Sequence, residues 1–270
     1  MAHESKLQRL FVRGVFAPGA RVDLDRSQAH YLVNVLRLED GDPILVFNGR
    51  DGEFRATLSA AGRRNHALAI GDQVRPQPTA EDLRYLFAPL KQARLDYMVE
   101  KATEMGVARM TPVLTQHGQV GRVNRERLEA NAIEAAEQCG ILTLPVIDEP
   151  VALGALLDAW QGDEPTRRII FCDEADGGAD PLSILASLPP SPLAVLIGPE
   201  GGFSDEERLR LRTLPFVTAL PLGPRILRAD TAAVAALALV QAACGDWKNQ
   251  RISAVSDAAA ATIAGGTDGG

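Results

Sequence analysis

The sequence predicts a two-domain α/β protein, in which a small β-barrel precedes a parallel sheet covered by helices on both faces. Residues 1–75 contain short alternating patterns separated by turn residues, which are typical of a small barrel. A proline-containing segment at 76–79 follows. Beyond it, continuous apolar runs alternate with amphipathic helical patterns, as expected for a parallel sheet buried on both sides.

The predicted barrel contains four short strands and one helix. Turn residues at Gly41-Asp42-Pro43 and Asn48-Gly49 each precede a strand pattern. Apolar residues at helical spacing predict a helix over His30–Leu38. The predicted strands are Arg21–Asp25, Ile44–Phe47, Glu53–Leu58 and Ala67–Val74.

The segment Arg75–Thr79 predicts the domain boundary. Its two prolines cannot donate hydrogen bonds to a strand ladder, and they favour extended neighbours. We therefore expect a first domain over residues 1–75, a linker over 76–79 and a second domain over 80–245. Residues 246–270 are expected to form a disordered tail, because they bury too little apolar surface to offset the entropy of ordering.

Helices and strands alternate through the predicted second domain. Gly106, Gly140 and Gly245 lie where helix C-caps favour a left-handed glycine. Ser204 and Glu207 form a capping box, which predicts a helix beginning after Ser204. The other predicted helices are Ala93–Met105, Glu126–Cys139 and Thr231–Ala243, and the predicted strands are Tyr85–Ala88, Met110–Leu114, Arg168–Cys172, Leu193–Ile197 and Phe216–Leu220.

Composition argues against several classes of protein. No run of about 18 apolar residues is present, so no transmembrane helix is expected, and the N-terminus lacks the apolar core of a signal peptide. Cys139, Cys172 and Cys244 have no zinc-site spacing, and no metal is expected. We expect all three to be small core residues in a reducing cytoplasm.

Charge is distributed unevenly along the chain. The net charge of −7 argues mildly against a nucleic-acid partner. Residues 1–78 nevertheless hold 11 basic and 9 acidic side chains, whereas residues 146–245 hold 7 and 14. The N-terminal part is therefore the better candidate for contact with a polyanion, although a solvated surface would explain the same pattern.

The segment Leu196–Phe203 is the first candidate binding loop. It follows an apolar strand and precedes the capped helix, and ligands of open α/β sheets bind at such strand ends. Three glycines allow a ligand to approach its backbone closely. The phosphate-binding patterns GxxxxGK[ST] and GxGxxG are absent. The pattern favours a ligand loop of another kind, and the alternative is a tight structural turn.

The segment Leu220–Thr231 is the second candidate binding loop, and it also follows a strand and opens a helix. Two prolines and a glycine make it stiff. Arg225 and Arg228 can meet a phosphate or a polarised carbonyl, or they form a solvated pair. Asp230 is expected to cap the following helix.

The two loops resemble the signature of a known family. GPEGGFSDEE at 198–207 with LGPRILRADTA at 222–232 is similar to the 16S ribosomal RNA uridine-N3 methyltransferases of the SPOUT superfamily. HYLVNVLRL at 30–38, KATEMGV at 101–107 and EAAEQCG at 134–140 also resemble that family. The resemblance extends over residues from about 7 to 245 in the same order. The chain departs from the family pattern at Gln116-His117, Ile141 and Ala229-Asp230, where arginines and a Thr-Glu pair are usual.

The resemblance implies a specific fold and activity. The barrel would be PUA-like and bind RNA, and the parallel sheet would be tied in a trefoil knot, a rare exception to unknotted topology. S-adenosylmethionine would lie bent against the knot loops. The active protein would be a homodimer, in which the partner completes each site. The target would be a uridine in the decoding region of 16S ribosomal RNA in the small subunit.

Three sets of candidate site residues follow from the loops and the resemblance. The catalytic candidates are Glu200, Arg225, Arg228 and Asp230. The expected cofactor-binding residues are Leu196, Ile197, Gly198, Pro199, Glu200, Gly201, Gly202, Leu220, Leu222, Gly223, Ile226, Leu227 and Thr231. The expected RNA-binding residues are Arg9, Arg13, His30, Arg37, Arg63 and Arg64.

The implied reaction assigns roles to the catalytic candidates. Uridine N3 must lose its proton before it can attack a methyl group, and a general base contributes about 10²–10⁴-fold. Glu200 and Asp230 are candidates for that base, although Glu200 could instead satisfy backbone donors of its loop. Arg225 and Arg228 would stabilise the uracil anion. The alternative functions are a SPOUT methyltransferase for another RNA or a ribose hydroxyl, and a non-catalytic RNA-binding protein of ribosome assembly.

Overall fold

The computed structural model describes residues 7–60, 66–173 and 180–248, which form two compact units. The first unit comprises residues up to Ala80 together with Ala130–Leu144, and the second comprises Glu81–Glu129 and the chain from Pro145 onwards. Arg63, Arg64 and the predicted tail from residue 249 lie outside the described residues. Asp246 is described, and its amide donates to Oε1 of Gln241 at 3.2 Å.

The first unit contains a five-stranded sheet with the strand order β1-β3-β4-β5-β2. β1 is parallel to β3 and the other pairs are antiparallel. Within the described residues β1 and β2 are the edges, so the predicted barrel is a half-barrel that does not close between these two strands. The strand β1 was not predicted because its three residues are too short for an alternation pattern. The strands are β1 (Arg9–Phe11), β2 (Arg21–Asp23), β3 (Pro43–Phe47), β4 (Glu53–Ala60) and β5 (His66–Arg75).

The helix of the first unit begins earlier than predicted. α1 spans Arg26–His30 and continues as a π-helical turn over Tyr31–Val35. Its start is fixed by Asp25, whose carboxylate accepts from the Gln28 amide at 2.8 Å while Gln28 accepts from the Asp25 amide at 3.1 Å. This capping box was not recognised in the sequence. Arg37 then takes a left-handed φ of 58°, which ends the helical segment before Leu38.

The second unit contains a parallel sheet with the strand order β12-β10-β11-β6-β7-β8, and β9 adds a further parallel pairing to β7. All five residues of β11 are buried, as expected for a parallel strand covered on both faces. The predicted parallel sheet is thus confirmed, and the trefoil knot stays a prediction. The strands are β6 (Leu83–Phe87), β7 (Arg109–Leu114), β8 (Val146–Ile147), β9 (Val151–Ala152), β10 (Arg168–Cys172), β11 (Leu193–Ile197) and β12 (Val217–Leu220).

Six further helices connect the strands. α4 and α5 were not predicted, although the buried residues of α4, Leu153, Leu156, Leu157 and Trp160, have helical spacing in the sequence. None of the helices within the described ranges is long and apolar enough to cross a membrane. The helices are α2 (Gln92–Glu104), α3 (Arg125–Cys139), α4 (Leu153–Asp163), α5 (Pro181–Ala186), α6 (Asp205–Thr213) and α7 (Ala229–Cys244).

Two local expectations are wrong. Gly106 and Gly140 have left-handed φ angles of 77° and 66° as predicted, but Gly245 has φ −99°. A glycine is needed at 245 for another reason, because a Cβ there would overlap the Gln241 side chain. The cysteines are not all core residues, since Cys139 and Cys244 are exposed.

Candidate functional site

Three neighbouring strands end at one edge of the parallel sheet. β10 pairs with both β11 and β12, so the segments that follow these strands lie together. The glycine loop (Gly198–Phe203) follows β11, the arginine loop (Pro221–Arg228) follows β12, and Asp173 follows β10. Carboxyl ends of parallel strands are the usual ligand sites of such sheets.

The two loops form the walls of one cavity of about 360 Å³. Among the predicted cofactor residues, Leu196, Gly201, Leu220 and Thr231 do not line it. The catalytic candidates Glu200, Arg225 and Arg228 line it, and Asp230 does not. The lining residues are Arg94, Cys172, Asp173, Ile197, Gly198, Pro199, Glu200, Gly202, Phe203, Arg208, Leu222, Gly223, Arg225, Ile226, Leu227, Arg228, Ala229 and Ala232.

The glycine loop is fixed by its own packing. A Cβ at Gly198 would lie 2.5 Å from the buried Phe203 ring. Phe203 in turn packs edge-on against Phe171, with ring centroids 5.1 Å apart. Gly202 has a left-handed φ of 69°, and its amide donates to the Pro199 carbonyl at 2.9 Å. The shape of the loop itself therefore accounts for glycine at positions 198 and 202.

The capping box of α6 is confirmed and also anchors a neighbouring segment. Ser204 Oγ accepts from the Glu207 amide at 3.2 Å, and Glu207 accepts from the Ser204 amide at 2.9 Å. The other Glu207 carboxylate oxygen accepts from the Gln116 amide at 2.8 Å. Nδ1 of His117 lies 3.3 Å from the Gly201 carbonyl oxygen. The segment after β7 is thus held against the glycine loop.

The arginine loop presents its side chains to solvent. Arg225 and Arg228 are exposed, and Ile226 is 85% exposed. Neither guanidinium forms an ion pair within the part of the chain that the structure describes. Both arginines are therefore available to a ligand, and Arg228 does not bridge to Asp230.

The expectation that Asp230 caps α7 is wrong. The helix begins at Ala229, so the N-cap is Arg228, which makes no side-chain capping bond. Asp230 lies in the first turn, where its Oδ1 accepts from the Thr231 amide at 2.8 Å. Its carboxylate faces Arg94 instead, with 3.9 Å between Oδ2 and Nε.

Arg94 is a site residue that the sequence analysis missed. It lies in the first turn of α2, and its guanidinium also pairs with the carboxylate of Glu200. β6 is the neighbour of β11 in the sheet, so the segment after β6 reaches the same edge as the glycine loop. A search for charged residues after every parallel strand would have included Arg94.

Asp173 was also missed. It is buried at the end of β10, where its carboxylate pairs with Arg212 at 2.7 Å and with Arg208 at 3.4 Å. This pairing ties α6 to β10 beneath the cavity. Burial raises the pKa of the adjacent Cys172 thiol to about 12, so this cysteine stays a neutral thiol at pH 7.

The predicted RNA-binding residues of the first unit have different surroundings. Arg9 donates to the buried Glu53 at 2.7 Å, a carboxylate that Arg75 also contacts. Arg13, His30 and Arg37 are exposed.

Nowhere in the described ranges do three His, Cys, Asp or Glu side chains cluster as metal ligands would.

Two family models match the chain. Residues 76–241 match an RNA methyltransferase domain, and residues 24–69 match an RNA methyltransferase PUA domain. The chain is 32% identical over 238 residues to the Ribosomal RNA small subunit methyltransferase E of Rickettsia conorii, an alignment that covers 87% of this chain and 96% of the relative.

Solved structures agree with this similarity. A Legionella pneumophila methyltransferase in complex with its bound cofactor SAM is 31% identical, with a TM-score of 0.75 over 89% of this chain and 99% of that one. The Ribosomal RNA small subunit methyltransferase E of Neisseria gonorrhoeae, solved with S-adenosyl methionine, shares the fold at 23% identity, with a TM-score of 0.76 over 88% and 98%. The present chain therefore belongs to the ribosomal RNA small subunit methyltransferase E family of RNA methyltransferases.

Proposed function

We propose that this protein transfers the methyl group of S-adenosylmethionine to N3 of a uridine in the decoding region of 16S ribosomal RNA. The observation that supports it best is the cavity at the edge of the parallel sheet, with the exposed guanidinium groups of Arg225 and Arg228 along its wall. The chain belongs to a family whose members are named as small-subunit ribosomal RNA methyltransferases.

The residues of the cavity suit S-adenosylmethionine, which supplies an electrophilic methyl group when bound. A cavity of about 360 Å³ lies within the range of about 300–1,000 Å³ for small-molecule sites. Ile197, Leu222 and Leu227 offer apolar contacts for an adenine ring, and the backbone of both loops offers polar ones. We propose that residues 196–202 and 220–231 bind the cofactor.

The chain's own side chains would manage the proton and the charge on uracil. A carboxylate of Glu200 or Asp230 accepts the N3 proton. Arg225 and Arg228, which form no ion pair with a carboxylate of the described residues, stabilise the charge that develops on the uracil oxygens. Positioning of the base against the methyl donor supplies the remaining rate enhancement.

We propose that residues 1–75 are an RNA-binding PUA-like domain, residues 76–79 a linker and residues 80–245 the methyltransferase domain. The exposed side chains of Arg13, His30 and Arg37 support this role, whereas the pairing of Arg9 with Glu53 favours a structural role for Arg9. Phosphate contacts make binding salt-dependent. Arg37→Glu should weaken binding of the protein to small ribosomal subunits, both in vitro and in the cytoplasm. Unchanged binding would argue against this assignment.

We also propose that the protein is a homodimer whose interface includes α7. The inner face of this helix buries Gln241, which donates to the Met105 carbonyl at 2.7 Å. Its outer face has the half-buried apolar residues Val234, Ala235, Ala238 and Leu239. Because this helix buries a polar side chain and leaves apolar side chains on its outer face, we expect a partner to cover that outer face. Sedimentation should show a dimer that Leu239→Glu dissociates, and a wild-type monomer at micromolar concentration would contradict this.

The decisive experiment maps the methyl group. Ribosomal RNA from a strain lacking the protein should have lost one N3-methyluridine in the small subunit by mass spectrometry, and expression of the wild-type protein should restore it. A methyl group lost from another base or from a ribose would refute the proposed position. Ribosomal RNA with every modification intact would refute the enzymatic function.

A further inference from the structure

Arg94 lies between the two loops of the site. It belongs to the first turn of α2, its side chain is 37% exposed, and it lines the cavity. No other guanidinium in the described chain contacts a carboxylate of the glycine loop and one of α7 together.

The two partners of Arg94 are the two candidates for the general base. Glu200, in the glycine loop, pairs with the guanidinium, and Asp230, in the first turn of α7, has Oδ2 3.9 Å from its Nε. The carboxylates come from segments 30 residues apart in sequence. One cation therefore connects both segments and both acids.

Other arginines of the cavity do not take this position. Arg208 faces Asp173, and Arg225 and Arg228 are exposed on the arginine loop. A substrate that binds Arg225 and Arg228 would leave the contacts of Arg94 in place. Arg94 is thus suited to hold the base, and the arginine loop is suited to meet the RNA.

We propose that Arg94 is a positioning residue for methyl transfer, which holds the carboxylates of Glu200 and Asp230 oriented at the cavity; this rests on the proposed function. In the step it supports, the N3–H bond breaks and the proton moves to a carboxylate oxygen. The electron pair left on N3 forms the bond to the methyl group, and the pair of the broken carbon–sulfur bond stays on sulfur. Arg94 keeps its own proton throughout.

Three variants of Arg94 test the role. Arg94→Ala and Arg94→Gln should lower kcat for ribosomal RNA methylation about 10- to 100-fold, a fraction of what a general base contributes. Arg94→Lys should recover part of the loss, since it keeps the charge without the planar fork. Cofactor affinity by calorimetry should change less than about threefold. Arg127→Ala, which removes the exposed α3 arginine that pairs with Asp96 of α2, is the matched control and should behave as wild type.

The split between KM and kcat separates positioning from a merely structural role. Arg94→Gln should lower kcat while the KM for ribosomal RNA and the melting temperature stay near their wild-type values, because Arg225 and Arg228, which are suited to meet the RNA, are unchanged. A fall in kcat together with a lower melting temperature and no recovery in Arg94→Lys would overturn the proposal.

A double-mutant cycle identifies the carboxylate that Arg94 serves. Glu200→Gln and Asp230→Asn are each combined with Arg94→Gln, and interacting residues give non-additive effects. At least one pair should be non-additive by tenfold or more in kcat, and additivity of both pairs would overturn the inference. A wild-type enzyme that binds cofactor but methylates no ribosomal RNA would instead refute the proposed function, which keeps the two failures distinct.

Discussion

The glycine loop and the arginine loop follow β11 and β12, the two parallel strands on either side of β10, yet they are held in opposite ways. The glycine loop is anchored by the Phe203 ring, the capping box of α6 and the ion pair of Glu200 with Arg94. The arginine loop exposes Arg225, Ile226 and Arg228, and the helix that follows it has no side-chain N-cap. Its two prolines, Pro221 and Pro224, restrict the backbone of the loop.

The difference indicates that the two loops have separate roles. A loop whose shape is fixed by packing is suited to hold a small ligand in one position, because pre-organisation lowers the cost of binding. A loop that presents unpaired guanidinium groups is suited to a large polyanion, since charged hydrogen bonds to phosphate or to a developing oxyanion need accessible donors. Substitutions in the two loops should therefore affect different steps.

The largest effect is expected at Arg228. Arg228→Ala should lower kcat about 10²–10³-fold, as loss of an oxyanion donor does, while cofactor affinity and melting temperature stay at wild-type values because Arg228 is exposed on the arginine loop. Arg228→Lys should recover part of the rate. Arg210→Ala, which removes an exposed pair with Asp158, is the control. Normal turnover in Arg228→Ala would break the proposed division between the loops.

A smaller effect is expected at Gly198. Gly198→Ala places a Cβ against the Phe203 ring, and overpacking of this kind costs about 1–3 kcal/mol. The melting temperature and the cofactor affinity should fall together, and Phe203→Leu should rescue part of both. Gly223→Ala in the arginine loop is the comparison, since a Cβ there has nothing within 4 Å and only its φ of 93° opposes it. Equal loss of cofactor affinity in both variants would mean that the glycine loop is no better anchored than the arginine loop.

The smallest effect is expected at Ser204. Ser204→Ala removes the cap of α6 and should lower the free energy of unfolding by about 1 kcal/mol, whereas Ser204→Asp should keep it. The equivalent position before α7, Arg228, makes no capping bond, so Arg228→Ala should show no such loss in chemical denaturation. A matching loss at both positions would show that α7 depends on its cap as α6 does.

Local patterns in the sequence predicted much of this site. The apolar runs of β10, β11 and β12, the glycines of the first loop and the capping box at Ser204 each depend on neighbouring residues, and the structure confirms them. The wrong prediction of the α7 cap also came from a pattern of neighbouring residues. Asp230 was assigned to the cap because the start of α7 was placed two residues too late, and helix boundaries depend on capping geometry that several adjacent residues could supply.

The sequence by itself determined most of the longer strands and helices and the two loops, because hydrophobic period and turn chemistry act over a few residues. Only the tertiary structure decided which loops meet. The order β12-β10-β11-β6 brings the ends of four strands together, and it places Arg94 against Glu200, 106 residues away. Side-chain periodicity specifies which faces are buried but not which strands are neighbours. The pairing of Arg94 with two carboxylates therefore became visible when the sheet was assembled.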